Sequence, residues 1–133
     1  MSAQDPREGP GPQVPAKKTG LAHLRAATGY SLAGLRRLMQ ETATRHHLAF
    51  GLGGGAALVA SGAGAGHFIG FLILFCAMLA AEALNTAIET VVNHMSPEWS
   101  EMGKDAKDLG SLAVGLMIVA NLVYLGSVVA GLI

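Results

Sequence analysis

The chain has 133 residues, of which 51% are hydrophobic and only 14% are charged. Soluble domains usually carry about a quarter of charged residues, so this composition is typical of a small, single-domain membrane protein. Lysine and arginine together number 9, and aspartate and glutamate together number 9, so the formal net charge is zero. Basic and aromatic residues are not interleaved as in a nucleic-acid reader, which excludes nucleic acid as a predicted partner.

The N-terminal part divides into a tail and a helix. Residues 1–18 hold four of the five prolines and show no hydrophobic periodicity, so we predict a disordered tail there. The domain then covers 19–133. It begins with leucines that alternate with histidine and arginine, which predicts a basic amphipathic helix over 19–39 lying in the membrane interface. An ordinary solvated helix is the alternative.

A long uncharged segment follows. Residues 48–81 contain no Asp, Glu, Lys or Arg. One membrane span needs roughly 20 residues, so this run is too long for one span and allows two only with its flanks. The small-residue sequence SGAGAG at 61–66 is the natural break. We therefore predict transmembrane helices over 43–61 and 68–92.

A third apolar run predicts a transmembrane helix over 109–133, preceded by a polar loop over 93–108. Lys and Arg concentrate before the first span, so that side is predicted to be cytoplasmic. The loop returns to the same side after two crossings, and the C-terminus lies outside. The predicted fold class is an all-α membrane protein.

Two carboxylates, Glu82 and Glu89, stand at the end of the second apolar run with Asn85 between them. Helical offsets of three and seven residues turn through roughly 300° and 700°, so all three share one face. Carboxylates near bilayer depth are rare and usually functional. Glu82, about 10 Å deeper, is a candidate general base, and Glu89 a candidate cation ligand. The alternative is that both only bond neighbouring helices.

Glu41 is a further acidic candidate, with Arg45 one helical turn later. It lies where the surface helix would enter the first span, at the membrane level of Glu89. Proteins commonly bind Mg²⁺ through one or two carboxylates together with substrate phosphates. The alternative is a routine ion pair between Glu41 and Arg45.

The segment GKDAKDLGS, residues 103–111, places Lys107 beside Asp108 just before the last span. This pair could contact phosphates, a metal or a ribose, although the segment is not a Walker A sequence. A solvated charged loop fits the same spacing.

Four segments resemble the small prokaryotic diacylglycerol kinases and their undecaprenol kinase relatives. They are EALNTAIETVVN at 82–93, AKDLGS at 106–111, GYSLAGL at 29–35 and ETATR at 41–45. The resemblance covers roughly residue 19 to the C-terminus. It implies a homotrimer in the bacterial inner membrane, with three transmembrane helices and a surface helix per subunit. It also implies active sites shared between subunits at the cytoplasmic face.

The same resemblance implies roles for individual residues. Glu82 resembles the catalytic base that takes the proton of the lipid hydroxyl, and Glu41 and Glu89 resemble the two Mg²⁺ ligands. The ATP contacts it implies are Tyr30, Glu41, Glu89, Glu98, Lys107 and Asp108. The lipid contacts it implies are Glu82, Asn85 and Ser111.

Four positions depart from the family pattern. His23 stands where some members have arginine, His47 replaces a glutamate, Asn93 an aspartate and Ser100 a histidine. These departures concern nucleotide contacts, and they leave the catalytic glutamate and the metal pair intact.

The predicted function is ATP-dependent phosphorylation of diacylglycerol to phosphatidic acid. The predicted partners are ATP, membrane lipid and further copies of the chain. The sequence KDLGS looks more like the diacylglycerol-using members than those that use undecaprenol, the alternative substrate. Two non-kinase alternatives are a cation or proton transporter subunit and a non-catalytic membrane assembly module.

Overall fold

The computed structural model describes residues 20–133, which form helices and turns without any strand. The helices are α1 (Gly20–Leu38), α2 (Thr42–Ala60), α3 (Ala65–Met95) and α4 (Glu101–Val129). The prediction of an all-α fold is confirmed for the described residues. The predicted disordered tail over 1–18 lies outside the described residues. The chain divides after Ala33 into two compact units.

Helix α1 begins one residue after the predicted start and ends one residue before the predicted end. Its apolar side chains Leu24, Leu32 and Leu35 are exposed, as a surface helix requires. Arg36 and Arg37 occupy the last turn, where cations interact favourably with the helix dipole. Its placement in a membrane interface remains a prediction.

A tight turn joins α2 to α3 within the glycine-rich break. Gly62 adopts φ 71°, the left-handed conformation that glycine enters without steric cost. The Ala63 amide donates to the Leu58 carbonyl at 3.0 Å, and the Gly62 amide donates to that of Val59 at 3.1 Å. These two bonds form a Schellman motif, which satisfies the last carbonyls of α2 and reverses the chain.

Two described helices are long and apolar enough to cross a membrane: α3 with 31 residues and α4 with 29. Most of their large apolar side chains are exposed, including Leu72, Ile73 and Leu122. Exposed apolar faces of this size require a lipid or protein covering. The predicted span over 43–61 corresponds to α2, and its crossing of the membrane remains a prediction.

The segment predicted as a loop over 93–108 is mostly helical. Helix α3 continues to Met95 and α4 already begins at Glu101. Ser100 caps α4 by accepting a hydrogen bond from the Gly103 amide at 3.2 Å. Hydropathy marks where a helix leaves hydrocarbon, whereas the cap marks where the helix begins, so the prediction from hydropathy started α4 too late.

Glycines set the spacing between the helices. A methyl group at Gly51 would lie 2.6 Å from the Phe75 ring, and one at Gly54 would lie 2.5 Å from the Phe71 ring. Residue 51 therefore faces residue 75, and residue 54 faces residue 71, so α2 and α3 are antiparallel. A buried cluster closes the end near the α2–α3 turn and contains Leu58, Phe71, Leu125 and Val128.

Candidate functional site

Glu82 is the buried carboxylate among the described residues. It is 5% exposed and lies on α3 four residues after Met78, which is completely buried. A carboxylate in such surroundings is costly because an apolar environment solvates the ionised form poorly. Glu82 thus lies on a buried face of α3, and its role as a general base stays a prediction.

Asn85 links Glu89 to α4. Its amide nitrogen donates to Glu89 Oε1 at 2.9 Å. Its amide oxygen is buried and accepts no hydrogen bond from the described residues. That oxygen lies against Gly110, where a methyl group would collide with it. Asn85 thus orients Glu89, a predicted metal ligand, and its own amide oxygen is an unused hydrogen-bond acceptor beside α4.

Glu41 stands at the N-cap of α2, but its side chain does not cap the helix. It instead forms an ion pair with Arg37 in the last turn of α1. The predicted alternative pairing of Glu41 with Arg45 is wrong, because the turn at 39–41 carries the carboxylate back towards α1.

Glu41 and Glu89 lie at the same end of the antiparallel pair α2–α3. Neither is buried, so both can reach solvent. Two accessible carboxylates, one already oriented by an amide, fit the donor set that Mg²⁺ takes together with substrate phosphates. Within residues 20–133, no group of three or more His, Cys, Asp or Glu side chains is arranged to hold a metal. A magnesium site here would therefore be completed by the nucleotide.

Three predicted ATP contacts, Glu98, Lys107 and Asp108, line one cavity of about 270 Å³ between the end of α3 and the start of α4. Lys107 donates to the Asn93 amide oxygen at 2.7 Å, and Lys104 donates to Asp108 at 2.6 Å. Asn93 is uncharged, so it holds Lys107 without neutralising it. The cavity therefore offers a positive group at a fixed position.

Sequence reasoning missed several residues of this cavity. Its wall also contains Trp99 and Lys104. Trp99 is 81% exposed, and it follows the only proline beyond the tail. In the sequence, a single tryptophan among turn residues in a polar segment was the signal that could have indicated a binding residue here.

Two predicted contacts, Ser111 and Tyr30, are not among the residues that line the cavity. Ser111 is exposed on α4, next to the Gly110 that faces Asn85. Tyr30 is 73% exposed and belongs to the unit that ends at Ala33. Its predicted contact with ATP stays a prediction.

Known proteins resemble this chain over most of its length. The family described as prokaryotic diacylglycerol kinase matches residues 29–129. A diacylglycerol kinase of Sinorhizobium sp is 50% identical over 113 residues, which cover 85% of this chain and 82% of the relative. One of Haemophilus influenzae is 36% identical over 108 residues, covering 74% and 84%. One of Escherichia coli (strain K12) is 34% identical over 109 residues, covering 79% and 87%.

Proposed function

The chain belongs to the prokaryotic diacylglycerol kinase family, and on that premise we propose that it transfers the γ-phosphoryl group of ATP to the free hydroxyl of diacylglycerol. The product is phosphatidic acid. The observation that supports placing the chemistry on α3 is the burial of Glu82, which is 5% exposed at the end of the apolar run of this helix. The proposal gives this carboxylate the role of general base.

The base has a simple task. In its ionised form the Glu82 carboxylate accepts the proton of the lipid hydroxyl as that oxygen attacks the γ-phosphorus of ATP. The bond between the γ-phosphorus and the bridging oxygen breaks, and ADP leaves. Phosphoryl transfer depends chiefly on positioning and electrostatic stabilisation, so one positioned base and a few charges are sufficient in principle.

The nucleotide is proposed to lie at the cavity where α3 ends and α4 begins. Lys107 would attract its phosphates, and Glu98 and Asp108 would contact its polar groups. Glu41 and Glu89 would hold Mg²⁺, which when bound offsets the negative charge of the phosphates. Asn85 supports this proposal because its 2.9 Å hydrogen bond fixes one oxygen of Glu89.

The lipid is proposed to approach Glu82 from the bilayer, with Asn85 and Ser111 as further contacts. Exposed apolar side chains along α3 and α4 support a membrane location for both helices. We further propose three spans, a surface helix and a homotrimer in the bacterial inner membrane. The start of α2, the end of α3 and the start of α4 would then meet the cytoplasm.

The purified chain in mixed micelles with γ-labelled ATP and Mg²⁺ tests the function. We expect the label to appear in phosphatidic acid when diacylglycerol is supplied, and to require Mg²⁺. Undecaprenol in a parallel reaction tests the alternative substrate. Label in neither lipid would contradict the kinase assignment, and faster labelling of undecaprenol would contradict the choice of diacylglycerol.

A further inference from the structure

Thr44 carries a buried hydroxyl with no hydrogen-bond partner among the described residues. The residue is 1% exposed, and its Oγ1 atom is buried away from solvent. Some helical hydroxyls donate to the carbonyl four residues earlier, as Thr28 and Thr90 do at 3.0 Å and 2.7 Å. Thr44 has no such helical carbonyl, because α2 begins only at Thr42.

The register of α2 against α3 places Thr44 opposite Glu82. Residue 51 faces Phe75 across the helix pair. Seven residues earlier on α2 is Thr44, and seven residues later on α3 is Glu82. Seven residues advance about 10 Å and turn through about 700°, so each helix returns to nearly the same face at the same height. The burial of both residues agrees with a shared layer.

We infer that Thr44 is a positioning residue: its hydroxyl, which is unbonded in this structure, turns to donate a hydrogen bond to the Glu82 carboxylate when the lipid binds, and this bond aims the carboxylate at the lipid hydroxyl. This inference rests on the proposed role of Glu82 as base. An ionised carboxylate only accepts hydrogen bonds, and a hydroxyl without a backbone acceptor has its proton free to donate. The bond would restrain one carboxylate oxygen and leave the other for the substrate.

His47 is the other buried polar residue on this part of α2, at 8% exposure, and its Nδ1 also lacks a partner among residues 20–133. It lies seven residues before Gly54, which faces Phe71. The residue seven positions after Phe71 is Met78. The register therefore places His47 over Met78 and leaves Thr44 as the donor for Glu82.

Replacement of Thr44 by Val removes the hydroxyl and keeps the shape. We expect the kcat for diacylglycerol phosphorylation to fall about 10- to 100-fold, because a misplaced reacting group costs up to that factor. The KM for ATP should stay unchanged. Thr44→Ser, which restores a hydroxyl, should recover most of the rate. Thr44→Ala serves as a second hydroxyl-free variant if the Val variant fails to fold.

Ser61→Ala is the control, since it removes a hydroxyl from the other end of α2, where that hydroxyl donates to the Leu58 carbonyl at 3.0 Å. Its kcat should stay near the wild-type value. Equal losses of kcat in the Thr44→Val and Ser61→Ala variants would overturn the positioning role of Thr44, and so would a Ser variant as slow as the Val variant. A Val variant at the wild-type rate would overturn the hydrogen bond itself.

Failure of this inference is distinguishable from failure of the proposed function. An inactive wild-type chain refutes the kinase proposal, and an active Glu82→Gln variant refutes the base together with its positioning. If the wild type is active, Glu82→Gln is inactive and Thr44→Val is unimpaired, only the role of Thr44 is refuted.

Discussion

In the unit formed by residues 34–133, a glycine at each end allows a side chain of another helix to pack against the backbone, but the side chains differ between the two ends. Near the α2–α3 turn, Gly54 makes room for the ring of Phe71 and for Leu125. Near the start of α4, Gly110 makes room for the amide oxygen of Asn85. The first end is thus filled by apolar side chains, and the second by polar ones.

This difference indicates that the apolar end stabilises the fold, whereas the polar end carries the proposed chemistry. At the apolar end, buried side chains pack closely against one another, and the Tyr124 hydroxyl donates to the His67 carbonyl at 3.0 Å. At the polar end, Glu82 is buried, and the buried oxygen of Asn85 lacks a partner among the described residues. An unmatched buried polar group reduces stability, so a substrate that supplies the missing partner is the simplest reason for the one at Asn85, which shares a helix face with Glu82 and Glu89.

Glu82→Gln separates these two roles most strongly. The amide cannot accept the hydroxyl proton as a base, so the rate of lipid labelling should fall about 10²- to 10⁴-fold. The thermal unfolding midpoint should not fall, because a neutral amide is less costly to bury than a carboxylate. Rate and midpoint are measured on the same micellar preparation.

Glu101→Gln is the control for that substitution. Glu101 is an exposed carboxylate in the first turn of α4, outside the cavity. Its loss should leave the labelling rate unchanged. A Glu82→Gln variant that retained more than about a tenth of the rate would be incompatible with general-base catalysis of the expected size.

Glu89→Gln tests the proposed metal ligand at the polar end. The substitution removes a charge but keeps the shape and a hydrogen-bond acceptor for Asn85. The Mg²⁺ concentration for half-maximal rate should rise about 10- to 100-fold. The measurement is a Mg²⁺ titration at saturating ATP and lipid. An unchanged Mg²⁺ requirement would remove Glu89 from the metal site.

Asn93→Asp makes a smaller change at the cavity. A carboxylate in place of the amide would neutralise Lys107, to which Asn93 is now bonded at 2.7 Å. The KM for ATP should rise about two- to fivefold, the range expected for a largely exposed ion pair. Steady-state rates across ATP concentrations measure it. A lower KM would show that Lys107 does not attract the phosphates as proposed.

The sequence predicted the helices well where hydropathy changes sharply. The break at 61–66 was visible because glycine and serine interrupt an apolar run, and the turn indeed lies there. The start of α4 was not visible, because its first turns are charged and only the Ser100 cap defines them. A charged helical turn and a charged loop have the same hydropathy.

The candidate site was predicted only in part, because a sequence shows which residues share a helix face but not which helices touch. Helical periodicity alone placed Glu82, Asn85 and Glu89 on one face, since that needs only the pitch of a single helix. The pairing of Lys107 with Asn93 joins two helices, and so does the contact of Asn85 with Gly110. Contacts between two helices depend on how the helices are aligned along each other, and the sequence of either helix does not show that alignment.

The most direct test of this division of roles compares Gly110→Ala with Gly54→Ala in one experiment that records kcat per folded protein and the free energy of unfolding. At Gly110 the added methyl group displaces Asn85, so we expect kcat to fall about tenfold or more through misplaced groups. At Gly54 it meets Phe71 and Leu125 at 2.5 and 2.9 Å. We therefore expect a loss of about 1–3 kcal/mol in stability, with kcat per folded protein unchanged. The reverse pattern, or equal losses of kcat in both variants, would contradict the assignment of chemistry to the polar end.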